Sequence, residues 1–265
     1  MSEETTILEG VGLRKEFGGL VAVADVNLRV QTGTLHSIIG PNGAGKTTLF
    51  NLLTGNLRPT RGSVFFKGQN ITDEPLHRRV HLGIGRSFQI TNIFPNLTVL
   101  ENVRLAAQAL GSDSYKFWWN FRRFSRYAEI AMSAITQVGL LDKANVPAVI
   151  LPHGDQRKLE LAILLASDAE LLLLDEPTAG MATEQVPTLI ETIQAIQRAS
   201  GKTIMLVEHN MNVVMNISDR ITVMHLGQVL AEGTPSEITQ NETVQKAYLG
   251  ELYGDFAGLM QGAIS

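Results

Sequence analysis

Hydrophobic and polar positions along the chain change rhythm twice. Through "ILEGVGLRKEF" and "LVAVADVNLRV" apolar residues alternate with polar ones or run as β-branched stretches, which predicts strands. "LHSIIG" is a short buried strand that runs into a glycine-rich turn and a helix over Lys46 to Thr54, with Gly55 placed to stop it. "SVFFKGQNIT" predicts another strand and turn. From about Asn96 to Ala166 the rhythm becomes helical: "LTVLENVRLAAQAL" and "YAEIAMSAITQVGLL" space their apolar residues by three and four. It then reverts. "ELLLLDEP" and "TIMLVEH" are apolar runs that end in acidic or polar residues, as buried parallel strands do when their C-terminal ends form a site. Helix-like "VPTLIETIQAIQRAS" separates them in β-α-β order, and "ITVMHLGQVLAEGTP" closes as a hairpin. With no repeat and no low-complexity tract, the pattern predicts an α/β nucleotide-binding core interrupted by a helical lobe.

Composition narrows the chemistry. The chain has 265 residues, enough for one large domain or two lobes around an ample core. A net charge of −4 argues against a dominant nucleic-acid role, because phosphate backbones are gripped by Lys and Arg. Without cysteine there are no disulfides, thiolate metal sites or thiol nucleophiles. "MSEETTILEG" is acidic and is not a signal peptide, and no stretch approaches the ~18 apolar residues of a membrane span. The expectation is a cytosolic protein that docks to something else.

The candidate chemistry lies in two motifs. Gly40-Pro41-Asn42-Gly43-Ala44-Gly45-Lys46-Thr47 fits G-x-x-x-x-G-K-[ST] between a strand and a helix. Such a loop wraps backbone N–H groups around phosphate, Lys46 bridges the β- and γ-phosphates, and Thr47 holds Mg²⁺. A glycine-rich turn with no ligand is the plainer alternative, and the strand–helix context disfavours it. "LLLLDE" ends a strand in Asp175 and Glu176. Alone these are solvated acids; beside a phosphate loop, Asp175 becomes a Mg²⁺ ligand and Glu176 the group that orients or deprotonates water. Gln89 in "RSFQ" and His209 in "LVEHN" stand at further strand ends, where a Gln can position water and metal and a His can meet the γ-phosphate.

This order of glycine loop, Gln, short signature before a helix, "LLLLDEPTAG" and His resembles the ATP-binding subunits of ABC transporters over nearly the whole chain. Among them it looks most like the subunits of branched-chain amino acid importers, through "LRKEFGGLVAVADV", "HGDQRKLE", the mid-chain aromatic insert and "AYLGE". The resemblance implies a P-loop ABC ATPase core with an antiparallel β subdomain and an inserted α-helical subdomain. It implies residues 1–95 and 167–240 as core, 96–166 as signature subdomain and 241–265 as a C-terminal helical tail. It also implies that ATP is held by Phe17 stacked on adenine and by Asn42, Gly43, Ala44, Gly45, Lys46, Thr47 and Thr48. Mg²⁺ would be held by Thr47, Gln89 and Asp175, and catalysis would fall to Glu176, His209 and Gln89. The implied partners are transmembrane permease subunits at the inner face of the membrane, a periplasmic substrate-binding protein acting indirectly, and a second ATP-binding subunit. Each ATP would lie between one subunit's glycine loop and the other's signature. Export of a lipid-linked substrate and a weakly hydrolysing regulatory subunit are the alternatives.

Three features depart from or add to the family pattern. Where the family's signature reads Leu-Ser-Gly-Gly-Gln, this chain has Leu151-Pro152-His153-Gly154-Asp155. Pro152 lacks both the hydroxyl and a backbone N–H, although it suits the first turn of a helix. Asp155 suits a helix N-terminus yet would sit near a γ-phosphate where the field is already negative. Ala182 stands where the family often has Asp. These changes lead us to expect a heterodimer, in which this chain's glycine loop is completed by a better signature from a different partner. The insert "YKFWWNFRRFSRY", residues 115–127, interleaves aromatic and basic residues and is expected to fill a small core, meet a membrane surface or dock on the permease, with base stacking the weakest reading in a net negative chain.

Overall fold

The computed structural model describes residues 5–87, 93–109 and 121–248, except the side chains of 121–125 and 248. Gln89 and most of the aromatic insert therefore lie outside the described residues. The chain opens with β1 (Thr6–Phe17) and β2 (Leu20–Gln31), an antiparallel hairpin turned at Gly18-Gly19. After β3 (Leu35–Ile39) and α1 (Lys46–Thr54) it returns to pair β4 (Arg61–Phe66) with β1 and β5 (Gln69–Asn70) with β4. This gives an antiparallel sheet of order β2-β1-β4-β5.

The second sheet is mostly parallel. It contains β6 (Ile84–Arg86), which follows α2 (Leu76–Leu82), then β7 (Leu171–Asp175) and β8 (Thr203–Val207), joined through α6 below. The antiparallel pair β9 (Arg220–His225) and β10 (Gln228–Gly233) closes one edge, giving the order β10-β9-β3-β8-β7-β6. The central strands bury both faces, and each sends alternate residues to opposite cores. Leu171, Leu173, Met205 and Val207 pack with α1 and the antiparallel sheet, while Leu172, Leu174, Ile204 and Leu206 pack with the helical part. That two-residue alternation of apolar side chains, all in contact with protein, is why these strands read as unbroken hydrophobic runs.

Between β6 and β7 stand α3 (Val99–Ala109), α4 (Phe121–Gln137) and α5 (His153–Ala166). Their buried stripes, Val99-Val103-Ala107 and Ala131-Ala134-Ile135-Val138, keep helical spacing and meet Leu159 and Ala162 of α5. Tyr127, at the end of the insert, packs against this core. The remaining helices are α6 (Val186–Ser200), α7 (Met211–Ile217), α8 (Pro235–Gln240) and α9 (Glu242–Tyr248). α8 begins with a capping box between Thr234 and Glu237.

Among the elements the hydrophobic pattern did not predict are α2, β6, α7 and α8, and two of them, α2 and β6, turn a charged residue inward. These residues are Arg79 in α2 and Arg86 in β6. Arg79 is almost wholly buried and donates to the carbonyls of Leu53 and Ile71 at 2.7 Å, Glu74 at 3.0 Å and Thr72 at 3.2 Å.

Candidate functional site

The glycine loop leaves the C-terminal end of β3, Asp175 ends β7, and His209 follows β8, which lies between them. Parallel strands thus bring residues 40–48, 175–176 and 209 to one edge of the sheet. Two glycines show why the loop needs its composition. Gly45 has φ +97°, and a Cβ there would collide with the Ala22 carbonyl oxygen. Gly43 has φ +79° with open space around it, so conformation alone demands glycine. The loop is held from outside by the β9–β10 turn: the Gly227 N–H donates to the Ala44 carbonyl at 3.0 Å, and the Ala24 N–H donates to Gly227 O at 2.8 Å.

Lys46 is buried, and its ammonium donates to the carbonyls of Gly40 at 2.6 Å and Pro41 at 3.1 Å, spanning the loop. Gly45 offers no side chain to cap α1, so the first N–H groups of that helix keep their capacity for an anion. Asn42, Gly43 and Thr47 are exposed, Thr48 is half-buried, and Ala44 is buried with its N–H bonded to Pro41 O at 3.1 Å. Phe17 is 46% exposed at the end of β1, with the Lys15 ammonium 5.2 Å from its ring centroid.

Asp175 is almost wholly buried, and among the described residues neither carboxylate oxygen has a hydrogen-bond partner. Its backbone N–H donates to Ser87 Oγ at 3.1 Å. Arg86 places a guanidinium nitrogen 3.8 Å from Oδ2, while donating to Thr54 Oγ1 and Asn51 Oδ1 at 2.7 Å and lying 5.1 Å over the Phe50 ring. Burial pushes the Asp175 carboxyl above the usual carboxylate range; Arg86 pulls it down, and Glu176 adds to the rise. Burial also lowers the Arg86 guanidinium, against the pull of Asp175. A desolvated carboxylate with both oxygens free of hydrogen bonds, next to a phosphate-type loop, fits a hard divalent cation.

Glu176 has φ +46°, a left-handed conformation uncommon for a side chain of its size. Its N–H donates to Val207 O at 2.9 Å, and its carbonyl accepts from Ala179 N at 3.0 Å. The His209 ring is 61% exposed.

At the signature, two expectations change. Pro152 is the residue before α5 rather than within its first turn: with φ −55° and ψ 152° it caps the helix through its carbonyl, which accepts from Asp155 N at 2.9 Å and Gln156 N at 3.0 Å. The negative charge expected of Asp155 is answered inside the chain, where Lys143 Nζ lies 2.5 Å from Asp155 Oδ2. His153 and Gly154 pack against the segment after β7, at Gly180 and at Met181 and Gln185 respectively.

Sequence reasoning passed over Arg86, Ser87, Lys143 and Glu208. Arg86 carried a signal, since a cation in a short inward strand two residues before "FQ" needs a nearby acid. Lys143 carried none, because its partner is on another element.

The fold and loop define the class as a P-loop nucleotide-binding protein with an added antiparallel sheet and an inserted helical subdomain. Residues 23–179 match the family model described as "ABC transporter". Residues 228–253 match that of "Branched-chain amino acid ATP-binding cassette transporter". The chain is 42% identical over 245 residues to the high-affinity branched-chain amino acid transport ATP-binding protein LivG of Escherichia coli (strain K12), covering 91% of this chain and 96% of that one. It is 41% identical over 250 residues to BraF of Pseudomonas aeruginosa, a protein of the same description, covering 92% and 98%. In structure it resembles the ADP conformation of MJ1267, an ATP-binding cassette of an ABC transporter, with TM-score 0.82, 30% identity, and coverage of 93% of this chain and 99% of that one. The chain belongs to the family of ABC transporter ATP-binding proteins.

Proposed function

We propose that this chain is the ATP-hydrolysing subunit of an importer for branched-chain or related small amino acids or amides. The observation that carries the reading is likeness to transport ATP-binding proteins along almost the entire chain, including the segment 228–253. The subunit works at the cytoplasmic face of the cell membrane against permease subunits. No helix among the described residues is long and apolar enough to cross a membrane.

In this reading Phe17 stacks on adenine through the ring face away from Lys15. Residues 42–48 wrap the phosphates, with Lys46 moving from the Gly40 and Pro41 carbonyls to phosphate oxygens. Thr47, Asp175 and Gln89 would hold Mg²⁺, and the Asp175 oxygens, free of hydrogen bonds, support that assignment. Held there, the ion would supply charge neutralisation to the transferring phosphate. Glu176 orients the attacking water and accepts its proton, while His209 and Gln89 meet the γ-phosphate. Residues 1–95 and 167–240 act as the core, 96–166 as the signature subdomain and 241–265 as a tail. A periplasmic binding protein delivers the cargo, which never touches this chain.

The subunit pairs with a second, non-identical ATP-binding subunit. Because Lys143 neutralises Asp155, this asymmetry rests on Pro152 and Ala182. Reconstitution of the complex with its permease and binding protein in proteoliposomes tests the whole reading. ATP-dependent uptake of leucine or a small amide is expected, and Glu176→Gln is expected to abolish both uptake and hydrolysis. Hydrolysis without uptake of any such substrate would overturn the cargo assignment.

A further inference from the structure

The loop that carries Glu176 and the loop that carries His209 are tied together by a carboxylate that belongs to neither nucleotide motif. Glu208, directly after β8, has no solvent exposure. Its Oε1 accepts from the Thr178 N–H at 3.2 Å and from the Thr178 hydroxyl. Its Oε2 accepts from the N–H groups of His209 at 3.0 Å and Asn210 at 3.3 Å, and lies 3.9 Å from His209 Nδ1. Thus one buried side chain gathers four donors, two from each loop.

The Thr178 side of this clasp holds a strained turn. The bond from Ala179 N–H to Glu176 O closes the turn Glu176-Pro177-Thr178-Ala179, with Pro177 at the second position, where its fixed φ is favoured. Glu176 enters the turn with φ +46°, a conformation that is unfavourable for a non-glycine residue and persists only when its surroundings impose it. On one side Val207 O accepts from Glu176 N–H; on the other, both Thr178 donors are spent on Glu208. The residue type fits the task. A carboxylate accepts at both oxygens, whereas the amide of Gln would turn N–H against one of the two donor pairs.

We infer that Glu208 is a positioning residue for ATP hydrolysis, a clasp that fixes Glu176 relative to His209. The inference rests on the roles given to those two residues above. Small displacements of a water-orienting group act on turnover more than on nucleotide binding, so the signature of the clasp is a loss in kcat with KM for ATP preserved.

The test measures ATP hydrolysis by the assembled transporter. Thr178→Val, which removes the hydroxyl donor at nearly equal volume, and Glu208→Gln are each expected to lower kcat about tenfold with KM for ATP within about twofold of native. Thr178→Ser, which keeps the donor, is expected to retain near-native kcat. The double variant Glu208→Gln/Thr178→Val is expected to lose little more than Glu208→Gln alone, because both break the same link. Should Glu208→Gln fail to fold, the valine and serine variants at 178 decide the matter between themselves. Native kcat in Thr178→Val, equal losses in the valine and serine variants, a rise in KM alone, or losses that multiply in the double variant would each overturn the clasp. Glu176→Gln and His209→Ala separate this outcome from a failure of the underlying site. If they keep native turnover, the assigned site is wrong; if they abolish it while Thr178→Val is native, only the clasp is wrong.

Discussion

Gly154 is the second residue of α5 and is buried, yet its own chain does not require it to lack a side chain. An added Cβ would meet Gln185 Oε1 at 2.8 Å and Met181 Cε at 3.4 Å, both ends of flexible side chains that can swing aside. Gly154→Ala should therefore leave unfolding stability unchanged or raise it by up to about 1 kcal/mol through helix propensity. If the backbone here faces a partner's γ-phosphate, the same change should cut ATP hydrolysis by the complex about tenfold or more. Denaturant titration beside a turnover assay separates the two effects; a loss of stability would place the need for glycine inside the chain. Arg79 makes the opposite case. Its guanidinium satisfies the Leu53 carbonyl in the last turn of α1 together with carbonyls of residues 71, 72 and 74. Arg79→Met would leave these acceptors buried without a charged donor, a cost of ~3 kcal/mol or more, which corresponds to a fall in Tm of roughly 6–12 °C. A melt within a degree or two of native would show that water replaces the guanidinium.

Among the elements, α5 carries the sharpest question. Pro152 caps it through its carbonyl alone, so Pro152→Ser adds a hydroxyl able to accept from Asp155 N–H and restores a backbone N–H. The helix should be at least as stable. If the weakened composite site is the one using this signature, a lost phosphate donor costing ~2–4 kcal/mol of transition-state stabilisation leaves it nearly silent, and restoring it beside one competent site should raise ATP hydrolysis by the complex about twofold. An unchanged rate would remove Pro152 as a source of asymmetry. The elements themselves differ in how well they could be read. β7 and β8 were legible because both faces are apolar, β3 because it is short and runs straight into the glycine loop, and α1 because a phosphate-type loop opens it and Gly55 closes it. α2 and β6 were not, because Arg79 and Arg86 invert the pattern and their partners are carbonyls and hydroxyls contributed by other elements. The motif residues at 40–48, 175–176 and 209 were visible as residue types in order along the chain. What supports them was not, because Lys143–Asp155 and Glu208–Thr178 join different elements and leave no local pattern.

At the scale of the whole molecule, the central sheet couples stability to pH through His36. This residue lies in β3 with no exposure, its Nε2 2.8 Å from Thr222 Oγ1 and, among the described residues, no partner for Nδ1. Burial, with a smaller push from the Arg220 charge, lowers its pKa from 6.5 to about 4. The folded state therefore binds this proton less readily than the unfolded chain does. The stability held above pH 6.5 drains away as pH falls towards 4, by about 2 kcal/mol at pH 5 and about 3 kcal/mol at pH 4. Asp175 works in the other direction, because a carboxyl raised by burial destabilises the fold at neutral pH and is relieved as it protonates. The net acid response is thus a difference between opposing groups, and only a comparison isolates His36. In His36→Leu the packing and the Thr222 contact change at every pH, but the proton linkage disappears. Urea unfolding at pH 7 and pH 5 should show the native chain losing about 2 kcal/mol more over that interval than the variant does. Equal losses in the two proteins would mean that the imidazole reaches water or a partner before the fold opens.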